Sequence, residues 1–514
     1  MKIQNPILRG FYPDPSVCEA NGKYYLCCST FQYLPGAPVF ESEDLLNWHQ
    51  VSNCLTSPEQ IELHQIPSSG GMFAPTIRFS DGCFYMVTND NTHDKNFYVY
   101  TDDLNKPWSE PIYVDQGGID PSLLFDEDGR VYFTSNGADA EGECIQQCEI
   151  DIKTGKKLSE TKTIWRGNGG RFIESPHLYH VGEWYYLMIA EGGTEYGHMI
   201  TYARSKNPYG PFEGYPQNPV LTNRNLGSHI TLIQGIGHGD LIKDKNGNYY
   251  ILCLGFRQYK RWQCFHHMGR EVYMAPVVMN EDGWFTAGIN GTVLEWMDVP
   301  LETEQQREGN YCFGFGMDID EKSDKYAHPI ENPHYIHIRD YIPENYKYDS
   351  GKRELSLTGT NITLNEADSP TFVGIRHSEF NIDMRVDVDG EAEEAGLSVY
   401  MDEDQHYDLY RYIDYSALPE EQVKVALRLH IGDAEAYKDE MYFSAGSKVT
   451  LHITADNDKY SFFVLVDDTD VKLGEARTKY LSSEVAGGFT GVVLGMYAIN
   501  GQAKFSRFSL EQWD

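Results

Sequence analysis

Five times before residue 300, a Gly-bearing turn is followed by a run crowded with aromatic and β-branched side chains. The copies are NGKYYLCCST from Asn21, DGCFYMVTND from Asp81, DGRVYFTSNG from Asp128, VGEWYYLMIA from Val181 and NGNYYILCLG from Asn246. Asn-Gly and Asp-Gly accept the positive φ of tight hairpins, and aromatic residues suit the pleated surface of a strand. The post-turn runs start at Lys23, Cys83, Arg130, Glu183 and Asn248, 47 to 65 residues apart. That is the length of a four-stranded propeller blade with variable loops. The pattern predicts a five-bladed β-propeller over residues 1–306.

The blade signal stops near residues 300–320, where the stretch DIDEKSDKYAHPIENP has the composition of a linker. From about residue 327 the alternation changes character. Segments such as TFVGIRHS, FNIDMRVDV, GLSVYMDE, HYDLYRYI, VALRLHIG, KVTLHITAD, YSFFVLVDD and GVVLGMYAI read as many short strands with polar turns. They predict a β-sandwich over residues 307–514, so the whole chain is expected to be all-β.

Upstream of each hairpin lies a second signal: DPSV from Asp14, APTI from Ala74, DPSLL from Asp120, ESPHLY from Glu174 and HGDLI from His238. Its distance to the second residue of each post-turn run (Tyr24, Phe84, Val131, Trp184 and Tyr249) is 10 or 11 residues in every copy. If the intervening strand is the innermost of its blade, equivalent positions converge on the central channel. Asp14, Asp120, Glu174 and His238 would then meet around one axis, and like-charged groups brought together must shift their pKa values. An Asp before Pro also makes Asx turns at strand starts, which explains one such residue but not the shared phase of three carboxyls. Two carboxyl groups flanking a sugar bond hydrolyse it, one as acid and one as base or nucleophile, while a third tunes them. Metal ligation is the competing use of such a cluster. A non-catalytic propeller lectin would need no proton donor at position 174.

Composition narrows the partners. The formal charge of −35 repels phosphate backbones and anionic lipid, so neither nucleic acid nor membrane is expected. The first residues contain no apolar signal core, and no uninterrupted apolar stretch of about 18 residues occurs, which predicts a cytoplasmic protein. The ten cysteines read as buried thiols in strands, with a disulfide framework as the alternative.

The segments FYPDPSV at 11–17, GGIDPSLLFDEDGRVYF at 117–133, ESPHLY at 174–179, AEGGTEYGH at 190–198, GIGHGD at 235–240 and MGREVY at 268–273 resemble glycoside hydrolase family 43, in the family's order. The resemblance implies a five-bladed propeller and an inverting mechanism, with Asp14 as general base, Glu174 as general acid and Asp120 as modulator of the acid's pKa. It implies that Arg270 binds the terminal sugar's hydroxyls and that Phe31 and Phe73 wall the sugar pocket. The family carries Trp at the second aromatic position, so Phe73 departs from its pattern. For His238 it implies substrate contact near the axis and a water-mediated hold on a structural calcium ion; a neutral histidine held by backbone is the alternative. No cofactor is required for the chemistry. SPTFVGIRHSEFNIDMRV and AGLSVYMDEDQHYDL resemble the concanavalin-like C-terminal domain of family members acting as exo-β-xylosidases. That domain is expected to close one side of the pocket rather than to anchor polysaccharide. The implied activity is release of terminal β-D-xylose from xylo- or arabinoxylo-oligosaccharides, with α-L-arabinofuranosidase activity as the alternative; homo-oligomer formation is left open.

Overall fold

The computed structural model describes residues 1–259, 264–306, 311–315, 328–414, 422–444 and 446–514. Residues 318–327 of the charged stretch read as a linker lie outside them. Five four-stranded antiparallel sheets come first, and their leading strands are Ser16–Ala20, Thr76–Ser80, Ser122–Phe125, Glu174–Val181 and Ile233–Lys243. Each leading strand packs on that of the next sheet, and the fifth packs on the first, closing a ring. The five sheets are therefore the blades of a propeller and the leading strands its hub. Lys2–Gln4 pairs with Trp296–Asp298, joining the two ends of the blade region.

The turns obey their residues. In the first two copies Asn21 and Gly22 hold φ of +53° and +81°, and Asp81 and Gly82 hold +48° and +79°, as a two-residue hairpin between right-twisted strands requires. The third and fifth copies use five-residue turns, in which the amide of Asp126 donates to the carbonyl of Arg130 (2.9 Å) and that of Asp244 to Asn248 (2.8 Å). These are the copies whose signal lies 11 residues ahead of the hairpin instead of 10.

One expectation needs correction. Strand register aligns Ser16, Thr76, Ser122, His177 and Asp240 as equivalent positions, each paired across to its blade's second strand. Two residues upstream stand Asp14, Ala74, Asp120, Ser175 and His238. In the fourth blade the hub position thus belongs to Ser175, at φ +55°, and Glu174 lies one residue earlier, ahead of a bulge between Glu174 and His177. The bulge lets a longer carboxyl enter the same space from off the repeat.

The second region is a sandwich of two antiparallel sheets. One runs Tyr346–Asp349, Glu354–Gly359, Gly501–Trp513, Asn381–Gly390, Val449–Ala455, Lys459–Val466, Thr469–Arg477, with Tyr311–Phe315 also paired to Gly501–Trp513. The other runs Thr371–Arg376, Val493–Ile499, Glu394–Asp402, Gln405–Asp414, Gln422–Ile431, Ala434–Ser444. Alternation decides the faces: Ala395, Leu397, Val399 and Met401 enter the core between the sheets, against residues such as Val386, Leu451 and Phe505. The opposite face of the second sheet turns Phe372, Tyr400, Val493 and Tyr497 onto Phe11, Phe31 and Tyr33 of the propeller, in one shared apolar cluster. His337–Ile338 even pairs with Tyr33–Leu34.

All ten cysteines are thiols; seven are buried, Cys83 and Cys264 are half-buried, and Cys312 is exposed. Among the described residues no helix is long and apolar enough to cross a membrane.

Candidate active site

At the hub's upper end the backbone is strained where the side chains converge: Asp14, Asp120 and His238 hold φ of +56°, +53° and +43°. Asp and His tolerate this left-handed region better than most residues, and such conformations persist where the surroundings hold them in place. The three line a cavity of about 420 Å³ together with Glu174, Arg270, Phe31, Phe73, Thr194, Tyr196, His198, His266 and, from the sandwich, Ser483, Glu484 and Phe489.

The carboxyls live in different fields. Asp14 is only 5 % exposed. Its Oδ1 accepts from Arg270 Nη1 at 3.0 Å and lies 3.6 Å from His238 Nδ1, and its Oδ2 accepts from the Ser29 hydroxyl. Burial alone would raise its pKa, but Arg270, His238 and Ser29 together outweigh burial and hold Asp14 below the ordinary carboxylate range. Among the described residues Glu174 receives no side-chain hydrogen bond, and the pull of Arg270 on it is outweighed. Burial first, and then the charge of Asp14, push it up to about 7. Asp120 accepts from the Ser175 amide at 3.0 Å, and burial followed by Glu174 and Asp14 raises it well above the usual range. Asp120 and Glu174 therefore titrate as a pair that keeps a proton to neutral pH. Burial lowers the pKa of His238, which is neutral there.

Arg270 bridges the two regions. Nη1 donates to Thr194 Oγ1 at 2.7 Å as well as to Asp14, Nη2 donates to the carbonyl of Phe489 at 3.3 Å, and Nε is buried without a partner. Its guanidinium lies 5.6 Å from the ring centroids of both Phe31 and Phe489. Those two rings stack at 5.7 Å and 27°, and Phe73 meets Phe31 edge-on at 5.3 Å. Farther along the wall, Glu484 accepts from the Tyr196 hydroxyl at 2.7 Å and from the His266 amide at 2.9 Å. His198 fits because position 237 is glycine: a Cβ there would stand 2.2 Å from its Nδ1.

Among the described residues no group of three or more His, Cys, Asp or Glu is arranged to hold a metal ion. His238 Nδ1 faces two carboxylates, with Asp120 Oδ2 at 3.9 Å, and the next acid down the channel, Asp240, is already paired with Arg78 at 2.8 Å.

Acids of split protonation at the hub of a five-bladed propeller are joined by a sequence match: residues 3–285 match the family described as "Glycosyl hydrolases family 43". The chain belongs to glycoside hydrolase family 43. Residues 323–511 match the "Beta xylosidase C-terminal Concanavalin A-like domain". This family 43 hydrolase is 35% identical over 532 residues to the "Non-reducing end alpha-L-arabinofuranosidase BoGH43B" of Bacteroides ovatus, covering 100% of this chain and 94% of that protein. It is 32% identical to a "Xylosidase/arabinosidase" of Butyrivibrio fibrisolvens, covering 99% of each. The solved structure "Bacteroides ovatus Xyloglucan PUL GH43B" superposes with a TM-score of 0.88 at 35% identity, over 99% of this chain and 98% of that one.

In this family 43 chain the structure gathers every residue singled out from sequence: Asp14, Asp120, Glu174, His238, Arg270, Phe31 and Phe73 all line the one cavity. Thr194, Tyr196 and His198 were within reach of the AEGGTEYGH motif but not singled out. Glu484, in the one-turn helix Ser483–Ala486, and Phe489, in the connection after it, carried no signal, because they meet their partners only through the tertiary fold.

Proposed function

We propose that this glycoside hydrolase is an inverting exo-enzyme releasing terminal β-D-xylose from short xylo-oligosaccharides. Asp14 serves as general base, Glu174 as general acid, and Asp120 keeps Glu174 protonated and oriented. The observation that carries the reading is the divergence of two acids in one cavity, Asp14 held ionised by Arg270 and Glu174 held protonated up to about pH 7. Asp14 takes a proton from a water molecule whose oxygen bonds to the anomeric carbon. Glu174 gives its proton to the departing glycosidic oxygen as that carbon–oxygen bond breaks, so configuration inverts in a single displacement. Solvent exchange then returns the proton of Asp14 and reloads Glu174. The buried Nε of Arg270 is an unspent donor for a sugar hydroxyl. Phe31, Phe73 and Phe489 offer apolar faces to a pyranose ring. The wall that Ser483, Glu484 and Phe489 of the sandwich add to the cavity supports exo action on short chains.

A second reading, α-L-arabinofuranosidase activity, is favoured by the name of the Bacteroides ovatus relative, while that of the Butyrivibrio fibrisolvens relative covers both activities. The deciding experiment compares kcat/KM on 4-nitrophenyl β-D-xylopyranoside and 4-nitrophenyl α-L-arabinofuranoside. A ratio of tenfold or more toward the arabinoside would replace the first reading with the second. The ten thiols support a reducing, cytoplasmic setting, and no step of the reaction draws on a cofactor.

A further inference from the structure

Directly beneath the catalytic ring lies a second one, two residues farther along each hub strand: Ser16, Thr76, Ser122, His177 and Asp240. Its single carboxylate, Asp240, is 0 % exposed. A charge so buried needs a cation, and the second blade supplies it. Arg78 Nη1 donates to Asp240 Oδ2 at 2.8 Å, to Ser16 Oγ at 3.1 Å and to the carbonyl of its neighbour Ile77 at 2.8 Å. Its Nη2 reaches Asp240 Oδ1 at 3.2 Å and His177 Nδ1 at 3.0 Å. Tyr179 and Ser16 donate their hydroxyls to the same carboxylate, at 2.5 and 2.7 Å. The network joins the first, second, fourth and fifth blades. Asp240 and Ser16 lie two residues beyond His238 and Asp14 on their own strands, so whatever fixes the lower ring also fixes the phase of the upper one.

We propose that Arg78 is the hub's built-in cation: it does in this chain what a divalent ion would otherwise do, neutralising Asp240 and locking the blades so that Asp14 and His238 keep their places. Arg78 is a positioning residue, since it touches none of the reacting atoms. Its side chain is 15 % exposed rather than sealed, and a small cation is expected to reach the site if Arg78 is removed. A planar guanidinium with paired donors suits a carboxylate better than an ammonium does, which separates Arg78 from a lysine in the same place. The catalytic part of the inference rests on Asp14 and Glu174 acting as base and acid; the cation part does not.

The test follows melting temperature and kinetics of the full-length enzyme after exhaustive chelation with EDTA, with and without excess calcium chloride. For the wild type both measurements are expected to stay unchanged. Arg78→Met keeps the apolar stem and strands Asp240; it is expected to melt lower and to lose about tenfold in kcat, with KM changed little. Calcium or guanidinium ions are expected to restore part of both losses in that variant alone. Arg78→Lys is expected to fall between the two, and it serves if the methionine variant does not fold. A wild type that loses stability on chelation, or gains it with calcium, overturns the proposal, as does an Arg78→Met enzyme that matches the wild type. Failure to rescue overturns the cation role even if activity falls. Because melting and chelation are read without substrate, a wrong assignment of the catalytic acids would leave those outcomes standing.

Discussion

Two buried acid clusters in this molecule look alike on paper and behave in opposite ways. In the sandwich, Asp408 accepts from Ser398 Oγ at 2.7 Å, from His406 Nδ1 at 2.9 Å and from Arg428 Nη2 at 2.8 Å, and Arg428 continues to Glu394 at 2.7 Å. Burial would raise the pKa of Asp408, but His406 and Arg428 override it and hold the group well below the ordinary range. Among the catalytic carboxyls a single guanidinium, Arg270, serves Asp14, Asp120 and Glu174, and two of the three are driven up. Burial of an acid is therefore no mark of catalysis. What distinguishes the working site is a shortage of positive charge beside an open cavity.

That contrast can be broken in several ways. Asp14→Asn is expected to reduce kcat by about 10³-fold or more in enzyme that still folds, measured by steady-state hydrolysis of xylobiose with circular dichroism as the check on folding. Asp408→Asn should do the reverse. It unbalances a satisfied ion pair at a cost of about 3–5 kcal/mol, visible in denaturant unfolding, with kcat of the folded fraction retained. The pH profile of kcat/KM should be bell-shaped, its alkaline limb falling above about pH 7 as Glu174 ionises and its acid limb set by Asp14 below the ordinary carboxylate range. A profile flat to pH 9 would remove Glu174 as the acid.

Phe489→Ala opens the wall supplied by the sandwich and is expected to lower kcat/KM on short substrates by about tenfold, roughly the worth of a truncated aromatic wall. An unchanged value would reduce the second region to a scaffold. The smallest effect sharpens the comparison most. A carboxyl whose folded pKa lies above its unfolded value stabilises the fold only while protonated, and that contribution is lost as pH rises toward about 7. Glu174→Gln should therefore melt about 2–4 °C higher than the wild type at pH 8 and no higher at pH 4. The same variant should lose less activity on an activated aryl xyloside than on xylobiose, since a good leaving group needs no proton.

Much of this was legible along the chain. The hairpin turns and their aromatic runs are short-range signals, and their constant spacing from the DPSV-like segments carried the hub with them. Long-range packing was not legible. The slip that puts Ser175 into the repeat and Glu174 beside it depends on a bulge, which sequence alternation does not announce. The edge strand Ala434–Ser444 escaped because it is mostly exposed and charged, with no buried face to impose alternation. Phe489 reaches the cavity from a connection without periodicity, and Arg78, which looks like an ordinary strand residue, owes its importance to Asp240, 162 positions away.

The ribbon formed by His337–Ile338 with Tyr33–Leu34 has a practical consequence for anyone who would treat the two halves as interchangeable modules. Severed where the composition changes, the first half would present an unpaired strand edge beside Phe11 and Phe31, a sticky template for other chains. Grafting a foreign partner onto this hydrolase would have to carry that short strand across the junction, so the functional seam of the molecule runs well downstream of its textual one.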